Sequence, residues 1–268
     1  MTFNGDGYYK DEYLYSDGVL SLALDLGKSM VRCGAEINRV EETVVRVCYA
    51  YGMKSVDVFS IISMIQATVV DSDNAPHTQV RRIYSSQTDF GRLEKLNAFS
   101  RKICSDVPDV EQARQELKLI TKKGKQYSLR VCLGHVVAAC SFTLFFGGTW
   151  FDAFAAAPIA VIIYFLSAYI KVSGVNRLFF TAFTSAVAGF LSIGFVELGF
   201  GHDSDMIMIG NIMLIIPGLK LINSVREMLC GDLMSGLLRL LESIIIAVAI
   251  ACGFAIAIIA SGKMFPEV

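Results

Sequence analysis

Five apolar stretches, at about 130–147, 153–170, 178–199, 206–222 and 240–261, constrain this chain more than any other feature. Each comes near the roughly 20 residues that an α-helix needs to cross the hydrocarbon core of a bilayer. The charges keep clear of them: residues 1–130 hold 18 of the 24 Lys and Arg and 17 of the 25 Asp and Glu. The chain reads as a small cytosolic α+β domain, 1–128, followed by a membrane α-helical domain of about five transmembrane helices, 129–268. Orientation follows from the connections. Lys122, Lys123, Lys125 and Arg130 precede the first span, Lys171 and Arg177 lie in the second connection, and Lys220, Arg226 and Arg239 lie in the fourth. Gly147–Asp152 and Gly199–Asp205 have no Lys or Arg. The positive-inside rule then predicts a multi-pass protein of the cell (inner or plasma) membrane, N-terminus cytoplasmic and C-terminus outside. The first 17 residues lack the basic-then-apolar pattern of a secretory signal.

Several function classes recede on composition. A net charge of −1 with no basic half gives no electrostatic footprint for nucleic acid. Seven cysteines form no CxxC pair and several sit in apolar stretches, so they read as reduced and structural. No GxSxG, HExxH, GxxxxGK[ST] or GxGxxG pattern occurs, which speaks against an enzyme. His77 lies by a turn with no His or Cys at ligand spacing, and reads as a surface histidine; no metal and no cofactor are expected.

In the water-facing half, Val19, Ala23, Leu26, Met30, Cys33, Ile37, Val40, Val44, Val47 and Tyr51 recur at spacings of three and four. That seam predicts one long amphipathic helix ending near Gly52. Arg32/Glu36, Glu36/Arg39, Arg39/Glu42 and Glu42/Arg46 would pair along its other faces. The cluster from Gly34 to Glu42 reads either as a solvated charged face or as a contact surface for the membrane half or for solute. Lys54–Val70 and Gln79–Ser85 predict two or three antiparallel strands around the turn Asp71–Pro76, with helices over about 91–104 and from Pro108 to Lys122.

The fourth span is the anomalous one. It contains Asn211 and is interrupted at Pro217-Gly218, where proline removes a backbone donor and glycine permits unusual angles. Interrupted spans point to transporter binding sites because freed backbone groups can hold solute; a plain kink is the alternative. Beyond the break, Asp232, Gly236, Arg239 and Ser243 fall on one helical face, flanked by Ser235 and Glu242, with Asn223 and Arg226 adjoining. An arginine fork and a nearby acid suit a small zwitterion; a loop helix with paired charges is the alternative. The segment after the break reads as a re-entering or interfacial helix. Thr181/Ser185/Gly189 and Ala247/Ala251/Ala255 predict close helix contacts. His135 and Glu197 are weak candidates for proton coupling, against a hydrogen-bonded histidine and an interfacial glutamate.

Gly34-Ala35-Glu36 with Arg39-Val40-Glu41, then Pro217-Gly218, Asn223, Arg226, Gly231-Asp232, Ser235-Gly236 and Arg239, together resemble the threonine/serine exporter family, in particular its large-subunit members. The resemblance covers nearly the whole chain. It implies a cytosolic domain before about five membrane helices and proton-gradient-driven export of small hydrophilic metabolites such as threonine and serine; some two-gene members are linked to succinate. Fused members have a second set of membrane helices, so the resemblance also implies a separate small membrane subunit, in an oligomer. The family pattern has Asp where Glu227 follows Arg226, which keeps the charge and changes its reach. Export of an amino acid is the leading reading, a dicarboxylate is the alternative solute, and a membrane-anchored sensor or scaffold is the alternative class. An enzyme using Glu36, Glu41 and Glu42 is the remaining one.

Overall fold

The computed structural model describes residues 6–84, 88–122, 128–173 and 176–264. Lys123, Lys125 and Ser85, and the side chains of Lys171 and Arg177, lie outside the described residues. The chain forms two compact units, Met1–Lys123 with Asn223–Arg239, and Gly124–Ile222 with Leu240–Val268.

In the first unit the seam is cut. Helix α1 spans Asp6–Arg32 and α2 spans Ile37–Ala50, so the single helix expected from Val19 to Tyr51 is two. The reason is Gly34, at φ 90°, which only glycine adopts freely. Its N–H bonds to the Val31 carbonyl while that of Ala35 reaches the Met30 carbonyl, the two bonds of a Schellman stop. The heptad survives the cut because α2 folds back on α1: a Cβ at Gly27 would lie 2.9 Å from Val44 Cγ2 and 3.2 Å from Val40 Cγ1. Both helices turn their apolar stripes into one core with Leu20, Leu24, Leu26, Val40, Val44 and Val47.

Strands β1 (Ser55–Ile61), β2 (Met64–Val70) and β3 (Pro76–Arg82) form an antiparallel meander in that order, with Ile61 opposite Met64 and Val70 opposite Pro76. Alternation puts Ile65, Ala67 and Val69 into the core. The Asp71–Pro76 turn is held by Asp71, whose Oδ1 accepts from the N–H groups of Asp73 and Ala75 at 3.0 and 2.8 Å. His77 corrects the surface reading: its side chain is buried, with Nε2 2.8 Å from Asp71 Oδ2 and Nδ1 3.5 Å from Asp17. Packing of α1 over β3 covers a residue that its polar neighbours place outside. Helices α3 (Phe90–Asp106) and α4 (Val110–Thr121) follow, with Asp89 and Asp109 capping their first N–H groups. Burial pushes the Cys48 thiol up to about 12, in keeping with an inert core cysteine.

The second unit is helical among its described residues. It contains α5 (Leu129–Phe145), α6 (Trp150–Ser173), α7 (Arg177–Glu197), α8 (Ser204–Ile215), the start of α9 (Gly218–Leu229) and most of α10 (Leu233–Met264). Three helices are long and apolar enough to cross a membrane, within α6, α7 and α10; α8 and α9, bent by 52° at the break, count as a fourth if taken as one span. At 17 residues α5 is shorter. Its length of about 26 Å falls below the roughly 30 Å hydrocarbon core.

Small residues set the close helix contacts, on faces that partly differ from expectation. A Cβ at Gly189 would sit 2.6 Å from Ala257, and one at Gly253 would sit 2.3 Å from the Ala182 carbonyl oxygen and 2.7 Å from Ser185. Ala247, Ala251 and Ala255 are exposed instead, because the inward stripe of α10 is Ile246, Ile250, Gly253, Phe254 and Ala257. From Leu233 onward the Asp232–Ser243 face is the beginning of α10.

Candidate functional site

Two segments distant in sequence meet in the first unit. One is the elbow Gly34-Ala35-Glu36-Ile37 between α1 and α2. The other is 223–239, which holds most of α9, the turn at Gly231 (φ 95°) and the first turns of α10. Glu36 stands in the cap position of α2, outside the helix, so it does not pair along the helix with Arg32 or Arg39. It meets Arg226 instead, Oε1 to Nη1 at 2.7 Å. Behind that half-exposed pair lies a buried one, Arg239 Nη2 to Glu227 Oε1 at 2.9 Å, with side chains 7% and 3% exposed. Arg239 Nη2 also lies 3.5 Å from the Ala35 carbonyl oxygen. An ion pair thus closes on each side of the elbow, and a main-chain carbonyl of the elbow meets the inner one.

The sequence supports this geometry locally. Pro217 cannot continue α8, having no N–H to donate, and its carbonyl accepts the first bond of α9, from Leu221 at 3.1 Å. Asp232 Oδ1 accepts from the Ser235 N–H at 3.3 Å, at the start of α10. Ser235, Gly236, Arg239 and Ser243 then follow on the buried face, as their spacing predicts. Gly236 is required there: a Cβ would stand 2.7 Å from the Ser224 carbonyl oxygen and 2.9 Å from the Met228 N.

A cavity of about 510 Å³ opens in this unit beside the elbow. Its charged lining is Glu36, Arg39, Glu42, Arg46, Arg101 and Arg226; Asn97 and Asn223 add amides, and Phe90 and Leu93 add apolar surface. Arg39 and Glu42 make the only one of the four expected helix-face pairs among the described residues, at 3.5 Å.

The other candidates make none of these ion pairs. Glu41 accepts from the Ser60 N–H and hydroxyl at 2.7 and 2.9 Å, tying α2 to β1. In the second unit Asn211 is fully buried in α8, where Nδ2 donates to the Ile207 carbonyl at 3.0 Å and Oδ1 has no protein partner among the described residues. Glu242 accepts from Lys220 at 2.6 Å. His135 bonds through Nδ1 to the Val131 carbonyl oxygen at 2.8 Å and stands edge-on to Tyr164, while Glu197 is exposed at the end of α7. Among the described residues no group of His, Cys, Asp and Glu could hold a metal ion.

Sequence reasoning missed three features. Glu227 appears there as a family variant and not as the partner of Arg239. Arg46 and Arg101 come together only through the packing of α2 on α3. Asp152 is fully buried: Oδ2 accepts from the Thr149 N–H and Oδ1 from the His202 and Asp203 N–H groups, all at 2.7–3.0 Å. It joins two loops of the second unit. Its signal was legible, since Thr149-x-x-Asp152 is a capping box.

Comparison with known proteins gives these features a context. Residues 21–260 match the model of a family described as "Putative threonine/serine exporter". A curated protein of Mycobacterium tuberculosis named "Probable threonine/serine exporter" is 23% identical over 248 residues, covering 91% of this chain and 46% of that protein. The chain thus spans about half the length of the curated relative it matches. No solved structure matches it.

Proposed function

Because this chain belongs to the threonine/serine exporter family, we propose that it is a subunit of a secondary transporter exporting small hydrophilic metabolites, threonine or serine first among them, driven by the proton gradient. The observation that supports it best lies within the first unit. Its elbow clasps the segment 223–239, and in sequence that segment runs on at both ends into apolar helices, α8 beyond the Pro217 break and the rest of α10. Ion pairs there suit a part that must change partners as solute passes, since each charge has a second state available once the pair opens.

In this reading the solute path includes the break from Asn211 to Gly218, where the unpartnered Asn211 oxygen offers an acceptor, and the polar face of Asp232, Ser235, Gly236, Arg239 and Glu242. Asn223 and Arg226 are part of the same reading, Glu36, Arg39 and Glu41 are its motif in the first unit, and Glu41 holds α2 in place. Proton coupling through His135 or Glu197 is the weaker part of the reading. Five membrane crossings, with α5 as the first, a cytoplasmic N-terminus and an outer C-terminus complete it. A separate small membrane subunit and an oligomeric assembly belong to the reading as what the family resemblance implies.

Counterflow of labelled threonine and serine in proteoliposomes, with the chain alone and with a candidate membrane partner, tests the reading. Solute-dependent exchange by the complete assembly is expected. Its absence with either solute would remove amino-acid transport.

A further inference from the structure

We propose that the cavity beside the elbow is a binding site for a small organic dianion, held by Arg46 and Arg101, and so an effector site in the first unit. Charge balance leads to it. Four arginines and two glutamates line the cavity. Glu36 is engaged by Arg226 at 2.7 Å and Glu42 by Arg39 at 3.5 Å. Arg46 and Arg101 have no carboxylate within ion-pair distance among the described residues. Two guanidinium groups in excess on one cavity repel each other, and a ligand with two negative charges relieves that repulsion.

The remaining lining fits such a ligand. Asn97 and Asn223 supply amide donors, while Phe90 and Leu93 offer apolar contact to a carbon skeleton. The volume of about 510 Å³ lies within the range of metabolite-sized sites. Arginine forks match carboxylate and phosphate oxygens alike, so the chemistry recognised is two anionic oxygen groups on a small molecule. A zwitterion fits poorly, because its ammonium would face the excess cations with both glutamates already engaged. The cavity shares Glu36, Arg39, Asn223 and Arg226 with the amino-acid reading above, and the Arg46 and Arg101 excess is what sets its ligand apart; its test reads binding and does not depend on transport.

The test is calorimetric titration of the detergent-purified full-length chain at about pH 8 with malonate and with glycerol 2-phosphate, against sodium chloride of matched ionic strength. Saturable binding of at least one dianion is expected, weakened at least roughly tenfold by Arg46→Ala and by Arg101→Ala, with serine unable to compete. Malonate alone would mark a carboxylate ligand and glycerol 2-phosphate alone a phosphate ligand; both together would mark a site set by charge. Both arginines are exposed, so the thermal midpoint serves as the check on folding, and Arg46→Gln and Arg101→Gln replace any alanine variant that fails it. Binding of neither dianion beyond the chloride control would overturn the proposal, as would binding unchanged in both substitutions or displacement by serine.

Discussion

The two units bury different mixtures of residue. In the first, the fully buried side chains are large and apolar, among them Leu20, Leu24, Met30, Ile65, Leu96 and Ile103. In the second, Ile159, Ile163 and Ile207 are buried too, but small residues such as Ala139, Ala156, Ala160, Thr143, Ser185 and Ser192 share the interior with them, while Phe154, Phe165, Phe179, Ile245 and Ile259 point outward. Water drives the first arrangement by expelling apolar surface. Lipid removes that drive, and small residues then matter because they let helices approach. The 223–239 segment combines both patterns. It buries the Arg239–Glu227 pair and leaves Leu229, Leu233 and Met234 exposed. Chain connectivity makes it the end of two apolar helices, and packing makes it part of the first unit.

The largest effect that could break this comparison is at the buried pair. Glu227→Ala removes the buried carboxylate that faces Arg239 at 2.9 Å, and is expected to cost about 3–5 kcal/mol in unfolding of the detergent-solubilised chain. Glu227→Leu combined with Arg239→Met should recover most of that loss. A single substitution without effect would show that the segment is not packed as described.

Next come the glycines of the second unit. Gly253→Ala forces a methyl against the Ala182 carbonyl oxygen and should cost about 1–3 kcal/mol. Gly134→Ala meets nothing within 4 Å on α5, and should stabilise by up to about 1 kcal/mol. Equal thermal shifts in the two variants would deny that helix approach governs this unit.

Acid probes the first unit with a smaller effect. Burial raises the Asp71 carboxyl, but the His77 hydrogen bond and the Ala75 and Asp73 N–H groups outweigh it and hold the group below the usual carboxylate range. A depressed folded value gives stability that is complete above the unfolded value of about 3.9 and is lost as pH falls through the folded one. Asp71→Asn should lower the thermal midpoint at neutral pH by the equivalent of about 1–3 kcal/mol and flatten its fall below about pH 4. The smallest effect on stability is at the outer pair. Arg226 is 59% exposed, so Arg226→Ala should cost under about 1 kcal/mol in the same unfolding measurement.

Much of this fold was legible because the relevant signals are local. The strands around Asp71–Pro76, the capped helices and the break at Pro217 all announce themselves within a few residues. The helix from Val19 to Tyr51 was misread because α1 and α2 share one core, so a three-four spacing runs through Gly34 undisturbed; the glycine was the only sign of the stop. His77 was misplaced because its burial depends on α1, far away in sequence. The candidate site was half legible. The resemblance picked out both the elbow and the 223–239 segment, but nothing local couples Glu227 to Arg239 on the next helix, or Arg239 to Ala35.

The central claim is that the elbow and the 223–239 segment act as one site in transport. A charge-swap cycle on Glu36 and Arg226, read by counterflow of labelled threonine or serine in proteoliposomes of the assembled transporter, tests it most directly. Glu36→Arg and Arg226→Glu should each slow exchange by roughly tenfold or more, and the double variant should regain most of the rate. Wild-type exchange in both single variants, correctly assembled, would contradict it.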